Sequence, residues 1–163
     1  MDDKTIWVLV ADEAIARLLR RPDGGGALEP IEELTDPAAH ARGRDLRDDA
    51  VGRRTGGVPA GAPESTRGGT ATTSAGEDER HHEAESFARR VAARLHEAAL
   101  AHRFDELHLA AAPRFLGLLR KAFSPQVQQR LGRQFDKDLV QVDNAALGER
   151  FFPRPRRAGG SPM

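Results

Sequence analysis

The first third of the chain alternates apolar runs with short polar breaks. Residues 5–11 are almost all apolar and rich in β-branched side chains, as in a strand buried on both faces. Residues 14–20 contain Ala, Leu and Arg, which favour helix, but a short break before them and a glycine-rich turn after them favour a hairpin strand. Residues 27–34 are predicted to return as an edge strand, since Pro30 cannot donate to a neighbouring strand.

The next segment, residues 36–77, is dominated by small and polar residues. It carries too few large apolar side chains to offset its ordering entropy, so we predict a long mobile loop over about residues 43–77. Beyond it, apolar residues recur every three or four positions from 84 to 99. This spacing predicts a long helix, with Ser74 or Asp78 as its cap, that ends near residue 102.

The last third begins with a second fully apolar strand, at residues 107–111, which meets a helix at Pro113. That helix is predicted to end near residue 123. The other predicted elements are a short helix over 125–131, a fifth strand over 135–142, a helix capped by Asn144 that ends near 152, and a disordered tail over 153–163. Together, the order βββ-α-β-α-β-α predicts a single α/β domain over 1–152, with a mixed five-stranded sheet and packed helices, as in ribonuclease-H-like domains.

Composition narrows the class of protein further. The chain has 163 residues, a formal net charge of zero and no cysteine, so disulfides and thiolate chemistry are excluded. Its start is acidic and its longest apolar runs are far shorter than the roughly 20 residues of a membrane span. We therefore expect a cytoplasmic protein without membrane insertion.

Charge is unevenly distributed along the chain. Residues 107–135 carry arginines and a lysine with no acid, whereas residues 23–36 carry acids with no base. The acid-free stretch favours either a surface that faces a polyanion or a chance cluster in an arginine-rich chain.

Five short blocks in this order resemble the bacterial host-attachment proteins. They are Trp-Val-Leu-Val-Ala-Asp at 7–12, the Arg/Asp-rich block at 44–53, Glu-Ser-Phe-Ala at 85–88, Ala-Pro-Arg-Phe-Leu-Gly-Leu-Leu-Arg at 112–120, and Lys-Asp-Leu at 137–139. Val51 stands where the family pattern has proline. The resemblance marks as family-motif residues Asp12, Asp49, Gly52, Pro113, Gly117 and Asp138.

That family in turn is similar to the middle domain of archaeo-eukaryotic peptide-chain release factors, in which a Gly-Gly-Gln tip precedes a long helix. The similarity implies a partner in the ribosome or RNA. Here no glutamine occurs between residues 36 and 77, so peptide release is not expected.

Arginines supply the candidate binding residues, because a guanidinium can grip phosphate through two hydrogen bonds. The residues assigned to RNA or anion binding are Arg44, Arg47, Arg53, Arg114 and Arg120. For the first three, the alternative is that they pair with neighbouring aspartates and tie the loop down. For Arg114, the alternative is that it merely opens a helix that packs on the sheet.

No catalytic residue, metal or cofactor is predicted. His81 and Glu85 share a helix face, but a zinc site needs three or four ligands, so surface residues are the better interpretation. Asp12 is interpreted as a turn residue, since a nuclease would need further acids near the end of the fourth strand, which is alanine-rich.

The leading hypothesis is a non-enzymatic cytoplasmic domain that binds RNA or the ribosome. A second hypothesis is a protein-interaction module that regulates adhesion and docks its partner through the mobile loop. A third is a hydrolase of an ester such as peptidyl-tRNA.

Overall fold

The computed structural model describes residues 3–39 and 65–155, with the backbone alone for residues 65–75. Its elements in chain order are β1 Ile6–Ala11, β2 Ile15–Arg20, β3 Glu29–Thr35, α1 Ser65–Leu100, β4 Glu106–Ala111, α2 Pro113–Ala122, α3 Pro125–Gln128, β5 Leu131–Phe135 and α4 Asn144–Phe151. A short helical turn, residues 37–39, follows β3. These residues form the α/β fold that the sequence predicts.

The strands form one mixed sheet in the order β3-β2-β1-β4-β5. β1 pairs antiparallel with β2 and parallel with β4, and β4 pairs parallel with β5. The two strands with the most continuous apolar sequence, β1 and β4, lie at the centre, where both faces are covered. The hairpin strand β2 and the edge strand β3 are confirmed, and Pro30 lies on β3 opposite Leu19, next to a register shift.

Side chains of the central strands alternate between two separate cores. Leu9 and Ala11 point toward α1 and α2, and we call this side the helical face. Val8 and Val10 point toward α4 and the segment before it, residues 136–143, and we call this side the short-helix face. Alanines on α1, such as Ala88 and Ala92, are buried against the sheet and allow the long helix to pack closely.

The long helix starts earlier than predicted. α1 begins at Ser65, so residues 65–77, assigned to the mobile loop, are helical. Helix propagation adds one hydrogen bond per residue fixed, so a helix can extend beyond the segment whose apolar spacing predicts it. Residues 40–64, which contain the rest of the predicted loop, lie outside the described residues.

The prediction of the fifth strand was wrong. β5 is Leu131–Phe135, and residues 136–143 form an irregular segment with Leu139 and Val140 buried. The apolar run that predicted the strand marks burial on the short-helix face, whereas pairing with β4 selects the preceding residues. The cap of α4 is Asp143 and not Asn144, because the Asp143 carboxylate accepts the N–H of Ala146 at 2.8 Å. The predicted tail lies outside the described residues from 156 on.

Candidate functional site

The carboxyl end of β1 turns sharply through Asp12. Its Oδ1 accepts the backbone N–H groups of Ala14 and Ile15, both at 2.8 Å, while its own N–H donates to Ile15 at 2.9 Å. These bonds close the hairpin to β2 and confirm Asp12 as a turn residue. The carboxylate is thus committed to the backbone.

The carboxyl end of β4 lies beside that turn, because β1 and β4 are parallel with Ala11 opposite Ala111. Ala112 then links β4 to α2, whose first residue is Pro113, as predicted. The N–H groups of Arg114 and Phe115 have no partner within the helix, as in the first turn of any α-helix. Arg114 is exposed there.

An open cavity of about 550 Å³ lies over these two strand ends, and we call it the corner cavity. It is bounded by the β1–β2 turn, the residues after β3, the inner side of α1 and the start of α2. Of its eleven described lining residues, five are small and apolar and six carry charge. The lining residues that carry charge are Asp12, Glu13, Asp36, Arg80, Glu83 and Arg114.

A second, smaller cavity of about 160 Å³ adjoins the first, and we call it the side cavity. Glu13, Arg80 and Arg114 line both cavities, so they mark the boundary between them. Glu77 and His81 of α1 complete the side cavity, which is more polar than the corner cavity.

Two arginines and one buried carboxylate at this corner have unused hydrogen-bonding capacity within the described residues. Neither Arg80 nor Arg114 forms an ion pair with a carboxylate in residues 3–39 or 76–155. Asp36 is only 8% exposed, and its Oδ1 accepts the N–H of Ala38 at 3.1 Å. Its Oδ2 has no hydrogen-bond partner in the described part of the chain. An anion with additional N–H donors would complement these groups.

The acid-free stretch forms a basic surface that starts at the corner. Arg114, Arg120 and Lys121 are exposed along α2, and Arg130 lies just before β5. We call these four side chains the basic ridge. Arg120 Nε donates to Gln134 Oε1 at 2.8 Å, and Arg130 Nη1 donates to the Gln126 carbonyl at 2.8 Å. Within the described ranges, none of the four pairs with a carboxylate.

Arg133, the fifth cation of the stretch, points the other way. Its Nη1 donates to the carbonyl of Phe151 at 3.2 Å, on the short-helix face. Position along the sequence therefore groups five cations, of which three lie exposed on α2.

The other predicted site residues separate into three groups. Arg44, Arg47, Arg53, Asp49 and Gly52 lie outside the described residues. Asp12, Pro113 and Arg114 meet at the corner cavity. Gly117 is exposed on α2 and Asp138 accepts the N–H of Val140 at 3.1 Å, away from the cavity lining.

Arg80 and Asp36 line the cavity but were not predicted from the sequence. Arg80 is exposed one turn before the buried Ala84, in line with the apolar spacing of α1, so a cation at a position in that spacing was the available signal. Asp36 immediately follows β3, but nothing in the sequence alone brings it near Pro113.

Away from the corner, a buried polar pair joins β4 to β5. His108 Nδ1 accepts the N–H of Arg133 at 2.9 Å, and His108 Nε2 lies 3.0 Å from Glu106 Oε1. Burial lowers the pKa of His108, and Arg133 and Arg21 act in the same direction, while Glu106 opposes them. The ring is 5% exposed, so we take burial as the stronger effect and the neutral imidazole as the folded form.

On α1, His81 Nε2 lies 3.0 Å from Glu85 Oε1, as in an ordinary i,i+4 pair. In the part of the chain that the structure describes, no three His, Asp or Glu side chains are grouped to hold a metal ion. A search of the same residues finds no helix with the length and apolar character needed to cross a membrane.

These features define the protein first as an α/β protein with a mixed five-stranded sheet and a cavity over the carboxyl ends of two parallel strands. Residues 7–151 match the model of the family described as "protein required for attachment to host cells", so the chain belongs to that family. No curated protein matches the chain in a sequence search.

Proposed function

We propose that this member of the host-attachment family is a cytoplasmic RNA-binding protein, with ribosomal or ribosome-associated RNA as its target. One observation carries the proposal: the basic ridge has no described carboxylate paired with it and meets the open corner cavity at Arg114. A similarity to release-factor middle domains, proposed on the sequence pattern, agrees with such a target. The proposed role excludes peptide release, since residues 36–77 contain no glutamine.

The ridge suits a phosphate backbone. Arg114 and Lys121 are seven residues apart on α2, about 10 Å along the helix axis and on the same side. Exposed cations at that separation can contact phosphates of one strand and release its counterions. Their flexible side chains read no sequence, so this part of the contact contributes affinity and not specificity.

The corner offers binding groups and not a reaction centre. The Asp12 carboxylate accepts two backbone N–H groups and closes the β1–β2 turn, so it already has a structural role. A Ser–His contact exists elsewhere, with Ser124 Oγ at 2.8 Å from His96 Nδ1, but neither residue lines the corner or side cavity. We therefore propose binding without hydrolysis.

To test this, the binding of a labelled single-stranded RNA is measured by fluorescence anisotropy at about 50 mM and about 200 mM salt. We expect binding that weakens steeply with salt, and a smaller salt slope for the double variant Arg114→Gln with Lys121→Gln. The matched control is Arg89→Gln, another exposed arginine on a helix, which lies near Glu85 at 3.8 Å and outside the ridge.

Absence of RNA binding at about 50 mM salt would overturn the proposal. So would an equal loss for the ridge variant and the control. Capture of a protein partner that survives nuclease treatment, without any bound RNA, would replace it with the interaction-module hypothesis.

A further inference from the structure

We infer that the corner cavity holds the base of a single guanosine within an RNA strand, with the adjoining phosphodiester in the side cavity. This inference rests on the proposed RNA binding and adds the nucleotide that the site selects. Three features support it: the volume and lining of the corner cavity, the distribution of charge between the two cavities, and the half-satisfied carboxylate of Asp36.

The volume and the lining residues suit a nucleobase. At about 550 Å³, the corner cavity lies within the range of about 300–1,000 Å³ typical of small-ligand sites. Its walls include Ala14, Ala39, Ala84, Ala112 and Pro113, whose short side chains leave space between the sheet end and the helices. After β1 the chain continues to β2, toward one edge of the sheet, and after β4 it continues to β5, toward the opposite edge. α/β folds tend to bind ligands where neighbouring strands diverge in this way.

Charge separates the two cavities into different environments. Asp36 lines only the corner cavity, whereas Arg80 and Arg114 line both. A ligand that spans the boundary therefore places its anionic group at the two arginines and its uncharged part toward Asp36. The free N–H groups at the start of α2 add a further attraction for the anion.

The side cavity also discriminates between kinds of phosphate. Glu13 and Glu77 line it together with Arg80 and Arg114, so the four charges cancel formally. A dianionic terminal phosphate would be repelled by both carboxylates. A phosphodiester carries one negative charge and suffers less repulsion, which favours a nucleotide inside a strand over free guanosine monophosphate.

Asp36 selects the base. Its buried Oδ2 lacks a described partner, and a buried acceptor of this kind is stabilised by an N–H donor. Guanine presents two adjacent donors, N1–H and the 2-amino group, on its Watson–Crick edge. Adenine, cytosine and uracil place an acceptor beside their donor, so a carboxylate meets repulsion there.

The experiment is a ¹H–¹⁵N NMR titration of the full chain with dinucleotides that differ in one base: GpU, ApU, CpU and UpU. We expect GpU to bind roughly tenfold or more tighter than the others, the discrimination typical of one bidentate pair. The shifted amides should include Ala14, Ala84 and Ala112. Free guanosine monophosphate should bind more weakly than GpU.

Asp36→Asn provides the decisive variant. Asparagine caps a backbone N–H about as well as aspartate, so the bond to Ala38 is retained. Its amide replaces one acceptor with a donor, so the preference for GpU should fall roughly tenfold. The matched xanthosine dinucleotide with the same 3′→5′ linkage, which has a carbonyl at C2, should gain. The control is Asp138→Asn, another carboxylate that accepts a backbone N–H but lies outside the cavity.

The outcomes separate the two proposals. RNA binding along the ridge with equal affinity for the four dinucleotides would overturn the guanosine site and leave the proposed function standing. A preference for GpU that disappears in Asp36→Asn, while Lys121→Gln, a ridge change outside both cavities, leaves the binding of longer RNA unaltered, would support the site and overturn the ridge. If Asp36→Asn does not fold, the dinucleotide series on the parent protein decides.

Discussion

The two faces of the sheet are covered by different kinds of structure and stabilised by different interactions. On the helical face, two regular helices cover a continuous apolar core that includes Phe87, Leu95 and Phe115. On the short-helix face, an irregular segment and the eight-residue helix α4 cover a smaller core, and polar side chains cross it. Arg17 Nη1 donates to the carbonyls of Val140 at 2.7 Å and Val142 at 2.9 Å.

The difference follows from the covering backbone. A helix satisfies its own N–H and C=O groups, so α1 and α2 can bury an apolar stripe without further partners. Residues 136–143 have no regular structure, so their carbonyls need donors from the rest of the molecule. Arg17 on β2 provides them and also donates to Asn144 Oδ1. Regular elements thus need apolar contacts, while irregular ones need specific hydrogen bonds.

Phe115→Ala should give the largest effect, on the helical face. Phe115 is fully buried, and its ring stacks on Phe87 with centroids 5.7 Å apart. We expect a loss of about 3–5 kcal/mol in the free energy of unfolding, because the cavity left in a helix-covered core collapses poorly. Urea unfolding followed by circular dichroism measures it, and a loss below about 1 kcal/mol would contradict a tightly packed helical face.

Gly148→Ala, on the short-helix face, should cause the next largest loss in the free energy of unfolding. A Cβ at this position would overlap the carbonyl oxygen of Gly26, since α4 packs directly on the glycine turn after β2. We expect a loss of about 1–3 kcal/mol, near the upper end because backbone atoms must move.

The control is Gly117→Ala on α2, where a Cβ would meet open space. There the same change should stabilise by about 0.5–1 kcal/mol through helix propensity. Equal effects of the two alanines in urea unfolding would show that α4 does not approach the turn closely.

The sequence predicted the helical face better than the short-helix face. The apolar runs of β1 and β4 and the three-to-four spacing of α1 report burial directly, because regular elements repeat their pattern. The predicted start of α1 was wrong because a helix can continue beyond the residues that show a regular apolar spacing. β5 was wrong because Leu139 and Val140 are buried from an irregular segment, and burial alone does not specify a strand.

The candidate site was predictable only where it lies next to a strand end. Asp12 and Arg114 follow β1 and β4, and parallel pairing brings those ends together. Asp36 and Arg80 reach the same cavity from β3 and α1, through packing that no local pattern encodes. Tertiary packing also explains Gly132, where a Cβ would come close to the side chains of Glu106 and His108.

Arg17→Met tests whether hydrogen bonds from Arg17 stabilise the short-helix face. Methionine keeps much of the apolar length of arginine but removes every donor to Val140, Val142 and Asn144. We expect a loss of about 1–2 kcal/mol, because partly buried carbonyls are left without partners and water replaces only some of the bonds. Hydrogen exchange should show faster opening of α4 than of α1, and a uniform increase across both would contradict a local tether.

His108→Gln should have the smallest effect on the free energy of unfolding at neutral pH, and a distinct effect on its pH dependence in acid. The folded state lowers the pKa of His108, chiefly through burial, whereas the unfolded chain should titrate at about 6.5. Below that pH the unfolded state binds more protons than the folded state, so stability falls as the pH drops from about 6.5 toward the lowered pKa. Above about 6.5 both states are neutral and this contribution is constant.

The structural cause of this acid sensitivity lies at the β4–β5 pair. A proton on Nδ1 would remove the acceptor for the N–H of Arg133, and the neighbouring guanidinium groups of Arg133 and Arg21 disfavour the added charge. Glu106 opposes this by accepting from Nε2. His108→Gln removes the titrating group, so the slope of unfolding free energy against pH between about 5 and 7 should decrease. The same measurement on His82→Gln, an exposed position on α1, gives the background from other groups. An unchanged slope in His108→Gln would mean that the buried imidazole contributes no proton linkage, and that the short-helix face loses its stability in acid through carboxylates instead.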